Sequence, residues 1–249
     1  MAEDEDVWTT IPSKKNKKNR PTTSPAPSSI PPFSRDMTPS KIHADIRTST
    51  HVWRQSTARK QLLSTLHRLK PDQGWSVKKA VCLGSGSFSR DNMESRRRSV
   101  MQFAMFLDLV GLLGGEEVEV LVQEPRYTEV DSNWLESQGY RVLEYEEGAG
   151  LGAAADYCGP ETLVCELFIE HDASTISGLF SRENALVLST ARRHLNTNET
   201  LIRKLSGERK SALDALLSRY RAIYFPHFEE DPQVFEGLEV LAPALEEDD

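Results

Sequence analysis

An open, mainly parallel α/β sheet with helices on both faces is the fold that this sequence predicts. Three observations predict it. Short apolar runs alternate with segments of helical periodicity from about residue 75 to residue 241, the pattern of strands joined by crossover helices. The first run, Ala80-Val81-Cys82-Leu83, passes directly into a glycine turn, Gly84-Ser85-Gly86-Ser87-Phe88-Ser89, and then into a long helical segment. A second run, 118–122, ends in Gln123-Glu124-Pro125. Strand, tight turn, helix and strand in this order make a Rossmann-like unit. Such a unit gathers backbone N–H groups and a helix N-terminus at the carboxyl edge of the sheet, where anions bind.

Taken in order, residues 1–40 predict a disordered leader. Eighteen of the forty are Pro, Ser or Thr and apolar residues are sparse, so burial cannot offset the entropy of ordering the backbone. Its run Lys14-Lys15-Asn16-Lys17-Lys18-Asn19-Arg20 reads either as a nuclear address or anion-binding patch, or as a solubilising tail. Residues 41–71 predict one amphipathic helix, read over 44–70 and stopped by Pro71. Its stripe of Val52, Leu62, Leu63, Leu66 and Leu69 packs on the domain that follows. Residues 72–245 form the Rossmann-like domain, and 246–249 an acidic tail.

Within the domain, Ser89 or Asp91 is placed to cap the first long helix. There Val100, Phe103, Ala104, Leu107 and Val110 recur as one buried face. Residues 128–138 predict a short helix with Glu129 and Asp131 in its first turn and Gly139 just past its end. A third strand is expected over 140–145, a flexible Gly-Ala lid over 148–155 and a central strand over 162–169. Then come a helix from Ser174 to about Arg182, a strand over 185–189 and a helical stretch over 200–220 broken at Gly207. A late strand over 222–225 and an edge strand over 238–241 complete the pattern.

The net charge is −8, and its distribution matters more than its sum. Residues 1–70 carry 13 Lys and Arg against 6 Asp and Glu, while residues 71–249 carry 17 against 32. The domain therefore does not attract nucleic acid, whereas the basic leader can. Cys82, Cys158 and Cys165 are too few and too scattered for a disulfide framework or a zinc site, and a reducing compartment is expected. No apolar run is long enough to span a membrane, and the acidic N-terminus does not read as a signal peptide.

From Cys82-Leu83-Gly84-Ser85-Gly86-Ser87-Phe88-Ser89, through Gln102-Phe103-Ala104, Glu124-Pro125 and Thr128-Glu129, to Leu135, Gly139-Tyr140-Arg141-Val142-Leu143 and Glu146-Glu147-Gly148, the chain resembles the sensitivity-to-red-light-reduced (SRR-like) domain family, in a fungal-type form. The likeness covers roughly residues 75–190. It implies a non-enzymatic regulatory role through protein contacts, of the kind linked in plants to light signalling and the circadian clock, in cytoplasm and nucleus. The chain departs from the pattern at Glu124, where Asp is usual, and at Glu170-His171-Asp172, where Pro-His-Cys is usual.

The candidate site follows from the three strand ends. Gly84, Ser85, Gly86 and Ser87 form either a cradle for an adenosine-type cofactor such as S-adenosylmethionine or a nucleotide, or a purely structural turn. The third glycine of a dinucleotide fingerprint is replaced by Ser89, and no P-loop lysine follows. Glu124 can accept ribose hydroxyls or be a solvated loop residue. His171 is the one candidate for catalysis, against the alternative of a hydrogen-bonded structural histidine. The crowd of Arg90, Arg96, Arg97 and Arg98 reads as an anion or phosphorylated-partner surface, or as an offset to the acidic body. No metal pattern is present. A regulatory module and a methyl-transferring enzyme both fit this arrangement, the geometric expectation being that Gly86, Glu124 and His171 line one pocket.

Overall fold

The computed structural model describes residue 34 and residues 36–244, apart from 115, 116, 168, 170 and 206. The Lys14–Arg20 run, most of the expected leader, Glu170 and the acidic tail lie outside these residues. The described strands are β1 (Lys79–Leu83), β2 (Glu119–Gln123), β3 (Arg141–Val142), β4 (Thr162–Glu166), β5 (Leu186–Ser189), β6 (Tyr220–Tyr224) and β7 (Glu239–Pro243). They form one sheet in the order β3-β2-β1-β4-β5-β7-β6. The pairs from β3 through β5 are parallel, and β7 runs antiparallel to both of its neighbours. The expected mainly parallel sheet is thus present, and its chain order reverses between β1 and β4.

Period-two alternation divides each central strand between two core layers. Ala80 and Cys82 of β1 join Val122 and Cys165 in one layer, which α1 (Pro39–Gln55), α2 (Thr57–Leu69), α3 (Met93–Leu113) and α4 (Glu129–Ser137) cover. Val81 and Leu83 join Leu121 and Val164 in the other, beneath a 3₁₀ turn (Gly152–Tyr157), α5 (Ala173–Phe180), α6 (Ala191–Thr197), α7 (Glu199–Lys204) and α8 (Gly207–Ser218).

Several expectations need correction. The single leader helix is two helices. Ser56 takes an extended conformation, gives its N–H to Trp53 O at 3.0 Å, and accepts from the Arg59 N–H at 3.1 Å, so it ends α1 and caps α2. Ordered structure also begins inside the span read as leader, because Thr38 caps α1 and Pro39 occupies its first turn. Asn92, rather than Ser89 or Asp91, caps α3, its Oδ1 accepting from Ser95 N–H at 2.9 Å. The third strand shrinks to two residues, and part of the Gly-Ala loop is a 3₁₀ turn. The helical stretch over 200–220 is α7 and α8, interrupted just before Gly207 as expected, and it is preceded by the unforeseen α6. The segment read as an edge strand is β7, inserted between β5 and β6 with Glu239 through Ala242 buried, so that β6 takes the edge.

One buried carboxylate fixes the leader helices to the sheet layer. Asp108 on α3 is 3% exposed. It accepts from Trp53 Nε1 at 3.1 Å, Arg54 Nε at 2.8 Å and Arg59 Nε at 2.6 Å.

Candidate functional site

Leu83 lies opposite both Gln123 and Glu166 in register, so the chain leaves β1, β2 and β4 at one level. A crevice of about 880 Å³ opens there, at the point where strand order reverses. Gly84, Ser85, Gly86, Glu124 and His171 all line it. Ser87 does not. It is fully buried and donates to Asp131 Oδ2 at 2.6 Å.

The glycine turn is tied to the segment after β2 by the protein's own acceptors. Glu124 takes the Gly86 N–H at 2.9 Å through one oxygen and the Arg126 N–H at 2.9 Å through the other. Asp131, fully buried at the start of α4, takes the Phe88 N–H at 3.1 Å while closing a capping box with Thr128. Ser85 Oγ meets the Tyr127 hydroxyl at 2.6 Å, and Ser89 Oγ meets Thr128 Oγ1 at 2.7 Å. Gly84 and Gly86 adopt φ of 71° and 72°. A Cβ on Gly84 would stand 2.3 Å from Ile169 Cγ2 and 2.9 Å from Leu167 O, and one on Gly86 would stand 2.3 Å from Ser99 Oγ. These glycines are required by packing against protein, and the Gly86 N–H is spent on a carboxylate. The turn itself therefore does not fit the phosphates of a nucleotide cofactor.

His171 reaches the crevice only with its main chain, because its side chain has no exposed surface. Its Nε2 donates to Glu166 Oε2 at 2.9 Å, and its Nδ1 lies 3.2 Å from His194 Nδ1. Glu166, at the end of β4, also accepts from Ser189 Oγ at 2.7 Å, Thr190 N–H at 2.9 Å and Ile169 N–H at 3.0 Å. The contact between the two Nδ1 atoms is a ring-to-ring hydrogen bond in which one imidazole donates and the other accepts. Burial alone would raise the Glu166 carboxyl, but the bond and charge of His171, with Ser189 and Thr190, hold it below the usual range. Both imidazole nitrogens of His171 are thus occupied, and it has no ring nitrogen facing the crevice.

Sequence reasoning missed Glu166 and Asp108, and placed Asp131 only in a first helical turn without its bonds to the glycine turn. Each is an acid inside an apolar or helix-packing stretch, and a lone acid in such a place must be met by donors. Burial pushes the Cys158 thiol up to about 11 and raises Cys82 and Cys165 as well, so these three free thiols are held protonated. No group of His, Cys, Asp and Glu among the described residues could hold a metal ion. A second hollow of about 560 Å³ lies among α1, α3 and α4, and includes none of the predicted site residues.

The profile of the SRR1 domain matches residues 55–205. The chain belongs to the SRR1 domain family. No curated protein matches it. The SRR1 match starts at the last residue of α1 and ends just after α7. It contains the glycine turn, both of its carboxylate anchors and the Glu166–His171–His194 cluster, but not most of α1, nor β6 and β7.

Proposed function

We propose that this SRR1-domain chain is a non-enzymatic regulatory protein that acts through protein contacts, with the crevice as a binding rather than a reacting site. The observation that carries this reading is that the residues placed for chemistry at the three strand ends are engaged within the protein itself. The His171 ring is buried and bonded at both nitrogens, Ser85 Oγ is paired with Tyr127, and Glu124 caps the glycine turn. The family likeness supports a role in light-signalling or circadian-type regulation, in cytoplasm and nucleus. Lys14–Arg20 would be the nuclear address, so replacing its four lysines by Gln is expected to lower the nuclear fraction of a tagged protein.

A second reading, an S-adenosylmethionine- or nucleotide-using transferase, draws on the position of the crevice at the strand-order reversal. Likeness of fold carries no activity by itself. The purified chain should be screened by thermal shift against adenosine-containing metabolites, and each stabilising compound followed for turnover. Stabilisation without consumption is the expected outcome. Turnover of a stabilising compound by the purified chain would decide for the enzyme.

A further inference from the structure

We infer that the crevice binds a phosphate-bearing small molecule of nucleotide size, held by Arg90 and Arg126 rather than by the glycine turn. This rests on the reading of the crevice as a binding site. Arg90, in the loop after β1, and Arg126, after β2, both line it. Among the described residues, neither guanidinium belongs to an ion pair. Burial, together with the neighbouring Arg126 cation, pulls Arg90 below its ordinary value. A third arginine of the wall, Arg98, is held by Glu94 and Gln233, yet its Nε is buried with no partner.

These cations converge in a part of the chain, residues 71–249, whose acids outnumber its bases, 32 to 17. They are set against one another at one place while the surrounding body would readily supply counter-ions elsewhere. A doubly charged anion relieves that repulsion, and the planar fork of arginine matches phosphate oxygens two at a time. Of the carboxylates on the wall, Glu124 is committed to the Gly86 and Arg126 main-chain N–H groups and Asp172 to the Thr175 N–H, while Glu147 is exposed to solvent. The size is set by the crevice itself, since about 880 Å³ falls within the roughly 300–1,000 Å³ of small-molecule sites. Leu83, Leu151, Leu167 and Ile169 line the same crevice and offer apolar surface to a base or similar ring.

The test is calorimetric titration of the full chain with AMP, adenosine and inorganic phosphate, the AMP being assayed for consumption afterwards. AMP is expected to bind at least tenfold more tightly than adenosine, with phosphate competing. Arg90→Gln and Arg126→Gln should each weaken AMP at least tenfold, while the unliganded melting temperature holds or rises, since no described ion pair is lost and repulsion is relieved. Equal binding of AMP and adenosine, unchanged affinity in both variants, or no binding of AMP or phosphate would each overturn the arginine clamp. Consumption of AMP would instead overturn the non-enzymatic reading and leave the clamp standing.

Discussion

At the scale of single residues, buried carboxylates organise this protein. Asp108 is the clearest case. Burial would raise it, but Arg59, Arg54 and Trp53 together hold it below the usual carboxylate range. Asp108→Asn leaves the donors of both arginines and the indole facing a neutral amide. Breaking a buried pair from one side costs about 3–5 kcal/mol. The lower end is expected here, because the Arg54 side chain is 60% exposed and can turn to water. Urea unfolding measures this, and a loss under about 1 kcal/mol, the range of surface pairs, would reduce Asp108 to one of them. Gly84 gives a second residue-scale prediction. Gly84→Ala forces an L side chain to φ 71° and drives its Cβ against the Leu167 carbonyl at 2.9 Å. A loss of about 2 kcal/mol is expected, within the range for a strained backbone conformation. An unchanged unfolding midpoint would mean that the turn relaxes freely.

At the scale of elements, Leu167, Ile169, His171 and Asp172, between β4 and α5, line one side of the crevice, and His171 is pinned through Glu166 and His194. Burial first, then the neighbouring His171, lowers His194 from its ordinary value. A histidine with a depressed folded pKa supports the fold above its unfolded pKa, about 6.5, and that support is lost as pH falls. Glu166 and Asp108 are depressed carboxyls, so their contribution is present above the ordinary carboxylate range, about 4, and is lost below it. Melting temperature should therefore fall in two stages on acidification, and His194→Asn should flatten the first stage only. A first stage that persists in the variant would move the effect to another group. This network was not legible in the sequence. Glu166 sits within the apolar run read as a strand over 162–169, and nothing in spacing shows that His171 folds back onto it five residues later. What was legible depended on local periodicity: the alternation of β1 and β2, the buried face of α3 and the first turn of α4. The insertion of β7 between β5 and β6 depends on pairing between distant segments, which apolar patterning does not encode. Ser56, a single capping residue inside a continuous apolar stripe, hid the break between α1 and α2.

At the scale of the whole molecule, the family boundary and the physical boundary of the fold differ. The SRR1 match covers 55–205, yet one core layer is completed from both sides of it. Ile42, Ile46 and Trp53 of α1 are buried. The Trp53 ring packs on Phe225, Phe228 and Phe235, with centroids 6.2, 6.0 and 5.5 Å away. Every partner in that aromatic cluster thus lies outside the matched span. Removing a buried Trp alone costs about 3–5 kcal/mol, and losing α1 would also expose apolar surface of α3 and leave Asp108 with Arg59 alone. Total stabilities of single domains are about 5–15 kcal/mol. A chain beginning at Ser56 is therefore expected to lose cooperative unfolding and to bind a hydrophobic dye. A chain beginning at Ser34 keeps Thr38, all of α1 and the Ser34 N–H bond to Ser89 O at 2.8 Å, and should melt within a few degrees of the full chain. Differential scanning calorimetry of the two truncations decides the matter. A cooperative transition of the Ser56 chain near that of the full protein would show that the SRR1 span is a self-sufficient core and that α1 is an accessory to it.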